Sequence, residues 1–212
     1  MRRLLGVILL KMVLATKNKN KAREVSEFLA PYDIEIVSLS EFPDLPEIEE
    51  SGETFKENAI IKATETCMFT GLMTLADDSG LEVDCLEGLP GVYSSRFAGE
   101  DKDNAANNKK LLELLDGVPA EQRTARFKCV MAIATTECFV YTAEGSCQGV
   151  ITEEPRGEGG FGYDPLFYLP EYGKTFAELD LETKNKISHR ARALTGVVDL
   201  ISDLKKMMED EE

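Results

Sequence analysis

The sequence lacks the features that mark several common protein classes. One histidine among 212 residues leaves no Ser-His-Asp set visible. No apolar run approaches the roughly 18 residues that a membrane helix needs. Basic residues are scarce, because 24 Lys and Arg stand against 39 Asp and Glu, for a formal net charge of −15. A general nucleic-acid binder needs a basic face to neutralise phosphates, so we expect neither nucleic acid nor a membrane as a partner.

Paired cysteines are missing as well. The five cysteines are an odd number without a Cys-x-x-Cys pair, which argues against a disulfide framework or a structural zinc site. Reduced thiols in a cytoplasmic protein are the plain interpretation. The composition, 43% hydrophobic and 30% charged, is typical of a globular protein with a real core. Without repeats or linkers, we expect one domain over residues 12–208 and an acidic tail at 209–212.

The first eleven residues, MRRLLGVILLK, have two interpretations. The apolar stretch GVILL is either the beginning of the first strand, or an extension before a true start at Met12. A signal peptide is disfavoured, because no small-residue cleavage site follows and Lys11 interrupts the apolar stretch. Nothing else in the predictions depends on residues 1–11.

Strand-like and helix-like segments alternate early in the chain, and a hairpin comes late. This order predicts an α/β fold built on a mixed sheet. The hydrophobic periodicity predicts helices at 19–30, 54–70, 104–115 and 188–208, and strands at 12–16, 34–39, 73–76, 81–86, 124–134 and 138–150.

Two basic clusters stand out against the acidic total. They lie at Thr16–Arg23 and Lys184–Arg192, and both are predicted at the beginning of a helix, where free N–H groups and the helix dipole favour anions. An external anion would explain both clusters. The alternatives are a helix cap with surface lysines for the first cluster and a solvated helix face for either one.

Three carboxylates lie at places that suit a metal ion. Glu50 precedes Ser51-Gly52, and Asp77 and Asp78 end a predicted strand and precede Ser79-Gly80. Carboxylates at strand ends are common Mg²⁺ ligands, and two adjacent aspartates in a strand point to opposite faces. The alternative is turn chemistry, since Asp-Ser-Gly is a good turn sequence.

A glycine-rich loop carries two aromatic side chains. In GEGGFGYDPLF, Phe161 and Tyr163 lie between glycines and before Asp164-Pro165. The rings could stack on a nucleotide base. The alternative is a turn that packs both aromatics into the core.

Together these segments resemble the inosine triphosphate pyrophosphatase family. The matching stretches are LATKNKNKAREV (14–25), SGETFKENAIIKA (51–63), ADDSGLEVDCLEGLPGVYSSRFAG (76–99), GGFGYDPLF (159–167) and ISHRARAL (187–194). The resemblance implies Mg²⁺-dependent hydrolysis of dITP, ITP and XTP to the monophosphate and pyrophosphate. It also implies an elongated mixed-sheet α/β fold with two lobes around a central cleft, and a homodimer.

The resemblance also assigns roles to individual residues. It makes Asp78 a proton acceptor and metal ligand, Glu50 the second metal ligand with Glu49 as a competitor, and Ser79 a substrate contact. Lys62 and Arg96 rank lower as phosphate contacts. The remaining expected substrate contacts are Thr16, Lys17, Asn18, Lys19, Asn20 and Lys21 for phosphate, Phe161, Gly162, Tyr163 and Asp164 for the base, and Lys184, His189 and Arg190.

Base selection and the chemistry of Asp78 leave alternatives. Arg190 offers only donors and His189 can present one, which suits the C6 carbonyl of inosine or xanthine and not the amino group of adenine. Asp78 either takes the proton of the attacking water or mainly positions that water. Two other functions compete with the hydrolysis of inosine and xanthine triphosphates. One is a Maf-type pyrophosphatase for pyrimidine or modified nucleotides, and the other is a nucleotide sensor that does not hydrolyse. The F-G-Y-D and S-H-R segments favour the hydrolysis of inosine and xanthine triphosphates.

Overall fold

The computed structural model describes residues 2–4 and 7–210, and its strands confirm the α/β prediction. The described strands pair in the order β1-β2-β4-β5-β6-β7-β8, and β3 pairs with β2. The sheet is mixed, because β2 runs parallel to β3 and β4 and antiparallel to β1. The strands are β1 Arg2–Leu4, β2 Val7–Leu14, β3 Ile34–Ser38, β4 Thr74–Val83, β5 Thr124–Ala134, β6 Val140–Ile151, β7 Phe167–Leu169 and β8 Lys174–Thr175.

Five α-helices accompany these strands in the described residues, and none of them is long and apolar enough to cross a membrane. Strand β2 includes residues 7–11, and the alternative of an extension before a true start at Met12 stays a prediction. The helices are α1 Lys19–Leu29, α2 Phe55–Thr70, α3 Asn104–Leu114, α4 Leu181–Ile187 and α5 His189–Asp210.

The residue contacts divide the chain into two compact units. The first unit holds the chain through Asp78, Val130–Gly145 and the chain from Ala191 on. The second unit holds Ser79–Cys129 and Ser146–Arg190. The single domain at 12–208 stays a prediction.

Each unit buries its own apolar side chains. In the first unit they come from both faces of β2, as expected for an interior strand, and from the inner stripes of α1, α2 and α5. The second unit has a continuous core of aromatic and aliphatic side chains. Its aromatic members are Phe97, Phe127, Tyr163, Phe167 and Phe176, and its aliphatic members include Leu81, Leu111, Leu115 and Leu166.

Two sequence-based predictions of local structure differ from the structure. The strands predicted at 73–76 and 81–86 are one strand, because β4 continues through Asp77-Asp78-Ser79-Gly80 to Val83, so the turn alternative does not apply, and a short 3₁₀ turn takes the place of residues 84–86. Strand β7 lies in a stretch for which no strand was predicted. The last helix, predicted at 188–208, is confirmed as α5, and the short helix α4 precedes it.

Candidate active site

The first basic segment forms the turn that leads from β2 into α1. Asn18 caps α1, since its side-chain oxygen accepts the N–H groups of Asn20 at 3.0 Å and Lys21 at 3.2 Å. Thr16 Oγ1 in turn accepts the N–H of Asn18 at 3.2 Å. The helix-cap interpretation therefore applies to Asn18, while Lys17 and its neighbours Lys19 and Asn20 stay exposed.

Lys21 is the member of this segment that reaches the sheet. Its ammonium lies 2.8 Å from a carboxylate oxygen of Asp77, and the Asp77 side chain is only 2% exposed. Because alternate residues of a strand point to opposite faces, Asp77 and Asp78 have different partners. Lys21 is thus part of an ion pair with the aspartate that was not predicted to bind the metal.

Helix α2 positions Asp78 through a buried amide. Its N-terminus is fixed by a capping box of Thr54 and Glu57. One turn later, Asn58 Nδ2 donates to Asp78 Oδ2 at 3.2 Å, and Asn58 Oδ1 accepts the N–H of Gly52 at 2.8 Å. The amide therefore ties the loop that carries Glu50 to the strand that carries Asp78.

A lysine lies between the two predicted metal ligands. Lys62 Nζ is 3.3 Å from Glu50 Oε2 and 3.4 Å from Asp78 Oδ1, and it follows Asn58 by one helical turn. Of the two competing glutamates, Glu50 shares this ammonium with Asp78, whereas Glu49 is exposed.

This arrangement changes the acidity of both groups. Burial raises the pKa of Asp78 above its ordinary value, against the opposing effect of the Lys62 and Lys21 charges. Burial alone would lower the pKa of Lys62, but the neighbouring carboxylates, Asp78 foremost, raise it above its ordinary value. Lys62 is therefore a cation at neutral pH.

The donor set fits a magnesium ion. Two carboxylates that contact one ammonium are close enough to share one cation, and both supply the hard oxygen ligands that Mg²⁺ prefers. The described residues contain no group of three or more acidic, histidine or cysteine side chains that could hold a metal. Two carboxylates suit Mg²⁺, which usually keeps several waters and takes further oxygens from substrate phosphates.

In the second unit, a buried ion pair organises the glycine-rich loop. Lys184 Nζ lies 2.7 Å from Asp164 Oδ2, and the same oxygen accepts the N–H of Phe161 at 2.8 Å. Gly160 has a φ of +73°, and a Cβ there would overlap the Asp164 carboxylate. The loop therefore needs glycine at this position both for its backbone and for the carboxylate.

The two aromatic residues of this loop have different environments. Tyr163 is 3% exposed and donates from its hydroxyl to the carbonyl of Ser94 at 3.0 Å, so the core interpretation applies to it. Burial also raises its pKa above the ordinary value. Phe161 is only half-buried, and its ring centroid lies 5.0 Å from Lys184 Nζ and 5.7 Å from Arg190 Cζ.

The second basic cluster does not lie wholly at the beginning of a helix, which corrects the prediction. Lys184 and Lys186 occupy the last turn of α4, where cations interact favourably with the helix dipole. Only His189 onward begins α5. The His189 ring stacks on Phe127, with centroids 4.8 Å apart, and Arg190 Nη2 donates to Ser79 Oγ at 3.1 Å.

The predicted site residues thus form two clusters, one in each unit, and the polypeptide joins them at Asp78-Ser79. Sequence reasoning missed Asn58, whose only signal is its spacing of four residues from Lys62 on the α2 pattern. It also missed Asn108, which donates to the carbonyl of Gly162 at 3.0 Å. Arg96 lies in the second unit, 5.3 Å from the centroid of the Tyr93 ring.

Comparison with known proteins gives consistent matches over nearly the whole chain. The model of the Ham1 family matches residues 12–200. A dITP/XTP pyrophosphatase of Desulforamulus reducens is 60% identical over 195 residues, which are 92% of this chain and 97% of the relative. One from Geobacillus kaustophilus is 56% identical over 185 residues, 87% of this chain and 91% of the relative. The solved structure of a HAM1 protein from Coxiella burnetii matches with a TM-score of 0.84 and 43% identity, covering 92% of this chain and 99% of that one.

Proposed function

This chain belongs to the Ham1 family, and on that basis we propose that it hydrolyses dITP, ITP and XTP to the monophosphate and pyrophosphate. The observation that carries the proposal is the 60% identity, over 92% of the chain, to a dITP/XTP pyrophosphatase. The F-G-Y-D and S-H-R segments lie within the matched range, which favours this function over a Maf-type enzyme or a sensor.

Asp78 is the reactive carboxylate of the proposed site. The reaction requires water to attack the α-phosphorus and to lose a proton. Asp78 either takes this proton or positions the water, because a carboxylate that also binds the metal ion is a weak base. Asn58 holds Oδ2 of this carboxylate, so the side chain has a fixed orientation for the water.

Glu50 and Asp78 would hold the Mg²⁺ ion that the family resemblance implies. When bound, this ion neutralises charge on the triphosphate and acts as a Lewis acid. Lys21 and the exposed Lys17 and Lys19 supply further positive charge for the phosphates. Their role is electrostatic, because a lysine acts on phosphate as a point charge.

The second cluster is proposed to hold the purine. Phe161, the less buried of the two aromatic residues, provides the stacking surface, while Tyr163 and the Asp164–Lys184 pair hold the loop in shape. Arg190 and His189 provide the donors for the C6 carbonyl. Ser79 Oγ, which accepts a hydrogen bond from Arg190, keeps the guanidinium oriented.

One assay tests this function. Pyrophosphate release is measured with Mg²⁺ for inosine, xanthine, adenine, guanine, thymidine and uridine triphosphates. We expect inosine and xanthine triphosphates to have the highest kcat/KM, with adenine rejected by orders of magnitude. A preference for the pyrimidines would favour the Maf-type function, and no release from any of them would favour the sensor.

We also propose a cytoplasmic homodimer. None of the five cysteines, all within the described residues, is in a disulfide, which supports a reducing compartment. The homodimer is what the family resemblance implies, and exposed apolar side chains such as Met68 at 78% and Phe139 at 61% are candidates for its interface. Sedimentation velocity measures the oligomeric state, and a monomer at micromolar concentration would contradict the dimer.

A further inference from the structure

The ammonium of Lys62 lies between the carboxylates of Glu50 and Asp78 and contacts both. It lies at 3.3 and 3.4 Å from one oxygen of each carboxylate, and 13% of the Lys62 side chain is exposed. The side chain of Asp78 is 10% exposed and that of Glu50 37%. An ammonium in this position supplies one positive charge against two negative ones.

Of the two carboxylates, Asp78 is fixed independently of the lysine. Asp78 is part of strand β4 and is also held by Asn58, which reaches back to Gly52 near Glu50. Lys62, in contrast, reaches the site through a flexible four-carbon stem with rotatable donors. The ammonium can therefore leave the site while Asp78 stays in place.

We propose that Lys62 is a placeholder cation, which holds Glu50 and Asp78 in the metal-free protein and releases both carboxylates when a divalent ion binds. The inference rests on the proposed metal site at Glu50 and Asp78. Without Lys62, two partly buried like charges would repel each other, so the ammonium keeps the empty site folded. After its release, the same ammonium is available to a phosphate oxygen of the substrate.

The proposal predicts that Lys62 weakens divalent-metal binding in the absence of nucleotide. An ammonium and a divalent ion close to the same carboxylates repel each other, and the ion must displace the ammonium before it binds. Replacing the charge with a neutral side chain removes this competition. If Lys62 had only a structural role, its replacement would have the opposite effect, because the two carboxylates would become disordered and metal binding would weaken.

The test is Mn²⁺ binding to the nucleotide-free protein, measured by electron paramagnetic resonance of free Mn²⁺. Lys62→Gln is expected to bind Mn²⁺ roughly tenfold or more tightly than the wild type. Lys62→Arg, which keeps the charge, is expected to bind it as the wild type does. Lys21→Gln is the matched control, because it removes the same charge from a similarly buried lysine that pairs with Asp77, and it should change the affinity much less.

Stability gives an independent measurement on the same variants. Without metal, Lys62→Gln should melt at a lower temperature than the wild type. Added Mn²⁺ should raise the melting temperature of Lys62→Gln by more than it raises that of the wild type. Unchanged or weaker Mn²⁺ binding by Lys62→Gln, including a variant that cannot fold even with metal, would overturn the placeholder role.

The proposed metal site has its own control. Glu50→Gln and Asp78→Asn, each made as a single substitution that keeps Lys62, should bind Mn²⁺ more weakly than the wild type. If both bind Mn²⁺ as the wild type does, the metal assignment fails. If both weaken it but Lys62→Gln does not tighten it, only the role of Lys62 fails.

Discussion

The ammonium of Lys184 lies 2.7 Å from a carboxylate oxygen of Asp164, and both side chains are almost completely buried. A buried charge that loses its partner is costly, typically about 3–5 kcal/mol. We therefore expect Asp164→Ala to lower the free energy of unfolding by about this amount, measured by urea denaturation. The double variant Asp164→Ala/Lys184→Met should regain part of the loss, because no unpaired charge remains. A single-variant loss below about 1 kcal/mol, the value of an exposed pair, would contradict this account.

Alanine substitutions at Gly160 and Gly162 distinguish the cost of backbone strain from the cost of steric overlap in the same loop. Both glycines have positive φ angles, +73° and +63°, but only at Gly160 would a Cβ overlap the Asp164 carboxylate. Alanine in this conformation costs about 1–2 kcal/mol. We expect Gly162→Ala to cost about that much and Gly160→Ala clearly more, from urea midpoints at equal m-values. Equal losses would mean that the carboxylate moves aside freely.

Arg190 is expected to act on substrate affinity. Its guanidinium donates to Ser79 Oγ at 3.1 Å and is the proposed donor to the C6 carbonyl. Arg190→Ala should raise KM for inosine triphosphate strongly and lower the melting temperature only slightly. Arg126→Ala is the control, because this arginine of the second unit pairs with Glu82 and Asp84 instead. Steady-state kinetics and thermal melting distinguish the two effects, and unchanged kinetics in Arg190→Ala would refute the assignment.

Asn58 is expected to act as a positioning residue for Asp78. Asn58→Ala removes the amide that links Asp78 to Gly52 and leaves buried groups unsatisfied, which costs about 1–3 kcal/mol. It should also lower kcat with little effect on KM. Thr54→Ala provides the matched control, since loss of this N-cap destabilises the same helix by about 1 kcal/mol and leaves the amide in place. Equal kcat values for the two variants would show that Asn58 acts only through helix stability.

The elements with strong local signals could be predicted from the sequence. Helix α2 begins at its capping box and ends before Gly71, whose φ of +66° suits a glycine. The β5–β6 hairpin carries two long β-branched runs around a turn. In both, residues near one another in the chain determine the structure, so a pattern within one segment is sufficient.

The elements that depend on distant partners could not be predicted. Asp-Ser-Gly has the local chemistry of a turn, but β4 continues because its backbone joins the sheet, beginning with the pairing of Thr74 and Leu75 to β2. Helix α4 was not predicted, because its seven residues, Leu181–Ile187, are too few to show a helical apolar pattern. The three lysine–aspartate contacts, from Lys21, Lys62 and Lys184, join residues 16 or more positions apart and depend on the fold.

Asp78 is the carboxylate proposed to act on the attacking water, and Asp78→Asn removes its negative charge with little change of shape. The two side chains are nearly isosteric, so the hydrogen-bonded position beside Asn58 is kept, while the negative charge that acts on the water and binds the metal ion is lost. The measurement is single-turnover pyrophosphate release from inosine triphosphate, at Mg²⁺ concentrations that saturate the rate of each variant, with Asp77→Asn on the opposite face of β4 for comparison. We predict a rate loss of about 10²–10⁴-fold for Asp78→Asn and a much smaller one for Asp77→Asn. An Asp78→Asn variant that is folded and releases pyrophosphate at the wild-type rate would contradict the account.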